Sequence, residues 1–175
     1  MRKLLAVIAC FACFGLTSIS ASAAETHANC ATFDNSGNLV SVVPNCSETQ
    51  ILKDQGFSMP SANPCSGAPG TLSYLFRNAM AHVTVNGASD VWVTETDTGS
   101  ISFTPANPSQ PSYAGHVATW FGASLNKSNM VFHDTFNARL TGTDGSTITA
   151  HMVDHMSWSA NGMLNSFSVG SLTCG

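Results

Sequence analysis

Two aspartates and three histidines fall in two short runs near the C-terminus: His133 and Asp134, then His151, Asp154 and His155. Carboxylates and imidazoles brought together can exchange protons as general acid and base, hold a metal ion, or bind the polar end of a ligand. Which chemistry applies depends on which side chains share a face. In a β-rich stretch, strand register decides that.

Thr143-Asp144-Gly145 and Asn161-Gly162 are turn signals separating runs of alternating apolar and polar residues. A two-residue loop at the first turn would set Asp134 across from His155. A three-residue loop with Gly145 left-handed pairs Gly142 with Ser146 and sets Asp134 across from Asp154. The two differ by one residue, which swaps every side chain to the other face. Only the three-residue loop gives a uniform apolar face, uniting Phe132, Phe136, Ala138 and Leu140 with Ile148, Ala150, Met152 and Met156. His133, Thr135, Asn137, Arg139, Thr149, His151 and His155 then share the opposite face. A two-residue Asn161-Gly162 turn further predicts Phe167 across from Met156 and Val169 across from Asp154, prolonging the apolar face.

Asp134 and Asp154 are the exception on that face. Facing carboxylates repel, and burial raises their proton affinity further. Such a pair persists when one acid is protonated, when a ligand or cation lies between them, or when the face lines a wet cavity. These two are the candidate catalytic residues, and Trp120, Phe136, Met152, Met156 and Phe167 are the candidate ligand-binding residues. Trp120 and Phe167 belong to an aromatic supply that also includes Trp92, Trp158, Phe76 and Phe121.

On a helix, His151 and His155 would sit together and faintly resemble a zinc-peptidase motif, but that motif needs a glutamate where Met152 stands. The alternation argues for a strand, where positions i and i+4 are ~13 Å apart. His133 then faces His155, and His151 faces Asn137. Two histidines without a third ligand hold zinc or copper only weakly, so no metal and no cofactor are expected. Neither a Gly-x-Ser-x-Gly nucleophile turn nor a glycine-rich phosphate loop occurs. Asn126-Lys127-Ser128 fits the glycan acceptor pattern, which matters only in a eukaryotic secretory route.

The elements that must position these groups begin after a targeting segment. Arg2 and Lys3, an apolar run from Leu4 to Leu16 and the small residues Ala21-Ser22-Ala23 read as a secretory signal over 1–24. Neither Cys10 nor Cys13 is placed as a lipoprotein cysteine, since apolar residues continue past both. Removal leaves roughly 150 residues, one domain by length. Cys30, Cys46, Cys65 and Cys174 remain, an even number that argues for two disulfides in an extracytoplasmic, secreted or periplasmic protein. Of three possible connectivities, Cys30–Cys46 with Cys65–Cys174 is favoured, combining a local loop with a staple on the C-terminus.

The formal charge is −4 for the whole chain, and loss of Arg2 and Lys3 makes it −6. Nothing basic clusters, which excludes the footprint of a nucleic-acid surface or an anionic membrane surface. No membrane span is expected after the signal is removed.

Residues 25–70 have poor periodicity and are expected to be an irregular, disulfide-held segment. Within it, Leu39–Val43 is a short strand, and Ser47 with Gln50 forms a capping box opening a two-turn helix that Gly56 ends. Over 71–175 the texture becomes strands, at Thr71–Arg77, Ala81–Val85, Val91–Glu95, Ile101–Phe103 and Tyr113–Phe121, then the two hairpins. Asp97-Thr98-Gly99 and the Pro105–Pro111 stretch are read as connections. Short connections imply antiparallel neighbours. The expected fold is all-β, a small antiparallel barrel of about seven to nine strands, with a β-sandwich as the alternative.

The expected function is a binding module for a small apolar or amphipathic ligand. The alternatives are an isomerase, cyclase or lyase using Asp134 or Asp154, and an interaction or inhibitor protein acting through exposed loops around the proline connectors.

Overall fold

The computed structural model describes residues 30–33, 39–162 and 164–175, so the expected signal segment lies outside the described residues. The described chain is all-β. A two-stranded antiparallel pair, β1 (Ala31–Phe33) and β2 (Leu39–Val42), precedes a seven-stranded antiparallel meander. Its strands are β3 (Cys46–Ala62), β4 (Pro69–Val85), β5 (Val91–Pro105), β6 (Tyr113–Leu125), β7 (Asn129–Gly142), β8 (Thr147–Ser159) and β9 (Leu164–Cys174), each pairing with the next. β3 and β9 are the sheet edges and do not pair with one another, so the sheet is not closed.

The helix expected at Ser47–Gly56 is strand instead, part of the 17-residue β3. Ser47 and Thr49 point outward, with the Thr49 hydroxyl 2.8 Å from His82 Nδ1 on β4, while Cys46, Glu48, Gln50 and Leu52 alternate inward. A capping box satisfies only the first turn of a helix. Pairing with β4 satisfies the backbone from Cys46 to Ala62, and tertiary pairing overrides the local preference.

The turn expected at Asp97-Thr98-Gly99 is also absent, because β5 runs straight through it. What happens there is a bulge in the neighbouring strand. Asn78 pairs with Thr98 and Phe76 with Gly99, leaving Arg77 as an extra residue that reaches Asp54 at 3.6 Å. Neighbouring backbones approach closely around this point. A Cβ added to Gly99 would lie 2.0 Å from the Leu75 carbonyl oxygen, and one added to Gly115 would lie 1.8 Å from that of Arg139. Bulges and bare glycines are the devices that let a sheet curl sharply.

Curling gives the sheet a concave and a convex face. At one end of the concave face, Tyr74, Phe76, Ile101, Phe103, Tyr113, Val117, Ala138, Leu140 and Ile148 form one apolar cluster, with Leu172 of β9 packed against it. Residues from β4 through β9 meet there. At the other end, Val85, Val91, Val93 and Ala123 form a second cluster with Cys30, under the β1–β2 pair. Fully burying such side chains stabilises by ~1.5–3 kcal/mol each.

Both disulfides have the favoured connectivity. Cys30–Cys46 holds the β1–β2 pair over the second cluster, and Cys65–Cys174 joins the β3–β4 turn to the end of β9. Two disulfides fit an oxidising compartment, and no described helix is long and apolar enough to cross a membrane.

Candidate functional site

The first C-terminal hairpin adopts the register that its hydrophobic pattern requires. Gly142 donates to Ser146 at 2.7 Å, Gly145 is left-handed at φ 85°, and Asp134 lies directly across from Asp154. Phe132 faces Met156 and Phe136 faces Met152 on the same concave side. Within this set Met152 is buried, Phe136 half-buried and Met156 exposed.

The second hairpin departs from expectation by one residue. Gly162 is left-handed at φ 74°, its N–H donates to the Ser159 carbonyl, and Trp158 pairs with Leu164. Phe167 therefore faces His155, and Val169 faces Val153. The one-residue slip sends both to the convex face. Ser166, Ser168 and Gly170 take the concave positions instead. A turn of Asn161-Gly162 alone leaves two residues between the strands, and the observed register needs one more. The longer loop was signalled by the same left-handed glycine chemistry that operates at Gly145.

Register places the five candidate ligand residues on two faces. Phe136, Met152 and Met156 share the concave face with both aspartates. Trp120 pairs with Thr96 and Thr135 on the convex face, which it shares with Phe167.

Following the pairings across the sheet gives a continuous concave row: Gln50, Ala81, Glu95, Phe121, Asp134, Asp154 and Ser168. The next row holds Leu52, Ala79, Asp97, Thr119, Phe136, Met152 and Gly170. Four carboxyls thus lie in two adjacent rows between the two apolar clusters. Glu95 and Asp97 were missed as partners of Asp134 and Asp154, although the alternation Val91, Val93, Glu95, Asp97 puts all four on one face. The supposed turn at Asp97 hid it.

The electrostatics of these rows are those of acids held away from water and near each other. Burial, reinforced by Asp97 and Asp134, pushes the Glu95 carboxyl up to about 7. Burial also raises Asp97, partly offset by a hydrogen bond that Thr119 Oγ1 donates to Asp97 Oδ2 at 3.2 Å. The other oxygen, Asp97 Oδ1, is buried without a hydrogen-bond partner among the described residues. Asp134 is raised by burial first and by repulsion from Asp154 second, against a backbone hydrogen bond from Thr135. Near neutral pH Glu95 therefore holds a proton, part of the time, that an exposed carboxyl would have released.

The row is bordered by Phe121, Phe132 and Trp158. The Phe121 and Phe132 ring centres are 6.0 Å apart, and Phe132 meets Trp158 edge-on at 5.7 Å. A shallow cavity of roughly 430 Å³ lies beside the Arg77 bulge, lined by Arg77, Thr98, Gly99, Ser100, His116 and Val117. It is centred away from the Asp134–Asp154 pair.

The histidines lie on the convex face, as the strand reading requires. His151 Nδ1 hydrogen-bonds Asn137 Oδ1 at 2.6 Å, and His133 faces His155 with their Nδ1 atoms 3.1 Å apart. No group of three or more His, Cys, Asp or Glu among the described residues is arranged to hold a metal ion.

Fold and site together define a disulfide-bonded all-β chain whose open meander carries an acidic row on its concave face. Compared with known protein families, curated proteins and solved structures, the chain matches none.

Proposed function

We propose that the protein is a secreted binding module, curled as an incomplete barrel, that takes a small amphipathic molecule on its concave face. The observation that carries this reading is the position of the acidic row. Glu95, Asp97, Asp134 and Asp154 sit between two apolar clusters and are bordered by Phe121, Phe136, Met152 and Met156. A ligand with an apolar body and a hydrogen-bond donor or cationic end satisfies both parts: apolar contact with the rings and thioethers, and donors directed at the carboxyl oxygens. The concave residues of β9 from Leu164 to Gly170 are exposed, which supports access from that edge.

Isothermal titration against a library of alkyl amines, alcohols and carboxylates tests this. Binding of the amines or alcohols, weakened by Asp154→Asn, is expected. Null heats across the library refute the reading.

A second reading, acid–base catalysis by an isomerase, cyclase or lyase, is favoured by one observation. Glu95 is held at about 7, where a carboxyl gives and takes protons equally well, in the same row as Asp134 and Asp154. In that case Asp134→Asn or Asp154→Asn abolishes turnover while leaving the protein folded. Unchanged turnover in both variants dismisses it.

A further inference from the structure

The convex face carries a second cluster that the concave reading leaves unused. Following the pairings, Gly122, His133, His155 and Phe167 form one row on β6 to β9. The His133 and His155 ring centres are 4.3 Å apart, and Nδ1 faces Nδ1 at 3.1 Å. Phe167 stacks on His155 at 5.2 Å with the planes 22° apart, which restrains that imidazole. At the other end of the row Gly122 contributes no side chain, and the Trp120 ring lies over it: an added Cβ there would meet Trp120 at 2.7 Å. The histidine pair is thus bounded along its row by Phe167 and by the ring over Gly122.

We propose that His133 and His155 chelate a borderline divalent transition-metal ion, copper(II) most strongly, as an open two-imidazole surface site. The separation of the two nitrogens carries the proposal. Two nitrogens bound to one tetrahedral zinc at about 2.0–2.1 Å are about 3.3–3.4 Å apart. Adjacent nitrogens around a square-planar copper(II) at a similar bond length are roughly 2.8–2.9 Å apart. The observed 3.1 Å lies between the two, so the nitrogen separation suits either ion once the rings turn both Nδ1 lone pairs toward a common point.

The chemistry balances without a redox step. In the metal-free pair one Nδ1 carries the hydrogen that bridges to the other. On binding, that hydrogen moves to Nε2 of the same ring, both Nδ1 lone pairs go to the ion, and water or an exogenous ligand fills the remaining positions. Among divalent first-row ions a nitrogen pair of this kind holds copper(II) best. Only two protein ligands are present, so the site captures and exchanges metal rather than burying it structurally.

The test is a copper(II) titration of the mature protein in a non-coordinating buffer, in a His27→Ala background that removes the one histidine outside the described residues. Calorimetry and tryptophan fluorescence are read in parallel, since a paramagnetic ion beside Trp120 quenches its emission. One ion per chain is expected, with an electron paramagnetic resonance spectrum showing two imidazole nitrogens. Losing a partner that merely orients a metal ligand already costs roughly 10–100-fold in metal affinity, so His133→Ala or His155→Ala should cost at least as much. His151→Ala, on the same strand but hydrogen-bonded to Asn137, should leave binding unchanged. His133→Gln, which keeps a polar side chain at that position, should bind no better than His133→Ala. Absence of saturable one-to-one binding, or affinity that persists in the His133→Ala/His155→Ala double variant, overturns the proposal.

Discussion

Glu95→Gln should stabilise the protein, by an amount that grows from nothing below pH 4.5 to its full size above pH 7. In the unfolded chain this carboxyl titrates near its ordinary 4.5, whereas in the folded protein burial and the neighbouring Asp97 and Asp134 hold it at about 7. Below 4.5 the group is protonated in both states and has no effect on stability. Between 4.5 and 7 the folded state binds more protons than the unfolded state, so stability falls as pH rises, and above 7 the full cost is present. Moving a carboxyl over that span corresponds to about 3 kcal/mol. Because Glu95 is half-buried rather than sealed, a realised cost of ~2–3 kcal/mol is the better expectation. Glutamine matches the protonated acid in shape and cannot ionise, so it removes the cost.

Urea unfolding of the wild type and Glu95→Gln at pH 4, 6 and 8 measures the effect directly. The two proteins should have equal stability at pH 4, and the variant should be more stable by ~2–3 kcal/mol at pH 8. A stability difference that does not change with pH would mean that Glu95 is not held among carboxyls away from water. The acidic row would then lose its physical basis.

The remaining predictions concern the staples and the concave lining. Cys65–Cys174 spans 109 residues of sequence and Cys30–Cys46 spans 16, so the chain-entropy model assigns about 5 kcal/mol to the first and about 3 kcal/mol to the second. Chemical denaturation of the two double-serine variants should rank them in that order, and the reverse ranking would show that local strain outweighs loop length. Met152→Ala should cost ~2–4 kcal/mol because the side chain is buried, whereas Met156→Ala, at 37 % exposure, should cost under ~1 kcal/mol. Equal costs in thermal unfolding would contradict the burial of one and the openness of the other.

The parts of the fold that were legible in the sequence are those where one face is uniformly apolar. Across β7 and β8, Phe132, Phe136, Ala138 and Leu140 match Ile148, Ala150, Met152 and Met156, and a slip of one residue would have mixed both faces. Nothing comparable fixed β9. Its middle concave positions, Ser166, Ser168 and Gly170, are polar or small, and its convex positions, Phe167 and Val169, are apolar and exposed. Along the middle of this edge strand, between Leu164 and Leu172, the usual inward-apolar rule is reversed, so pattern alone chose the wrong side. β3 was missed for a related reason. Its Ser47 and Gln50 have the local chemistry of a helix start, and the partner that overrides it, β4, lies beyond the Asn63–Ala68 turn. The acidic row was half legible, because two of its members lay in a recognised hairpin and the other two in a stretch of β5 that reads as a turn at Asp97-Thr98-Gly99.

The row also bears on why these acids are present. Neither apolar cluster needs them, since each is complete on its own side and the disulfides fasten strands at both ends of the sheet. Replacing buried ionisable groups by apolar residues of similar volume is often neutral or stabilising. Glu95, Asp97 and Asp134, whose carboxyls burial raises, therefore detract from stability when ionised, and Glu95 alone costs an amount comparable to what the shorter disulfide contributes. A fold under selection for stability alone would have no use for such a row, whereas a site needs groups whose proton or hydrogen-bonding state changes when a ligand arrives. The two accounts diverge in experiment. If the row is a binding site, Glu95→Gln raises stability at pH 8 and weakens the amine or alcohol ligand together. If it is merely tolerated, stability rises and binding does not change.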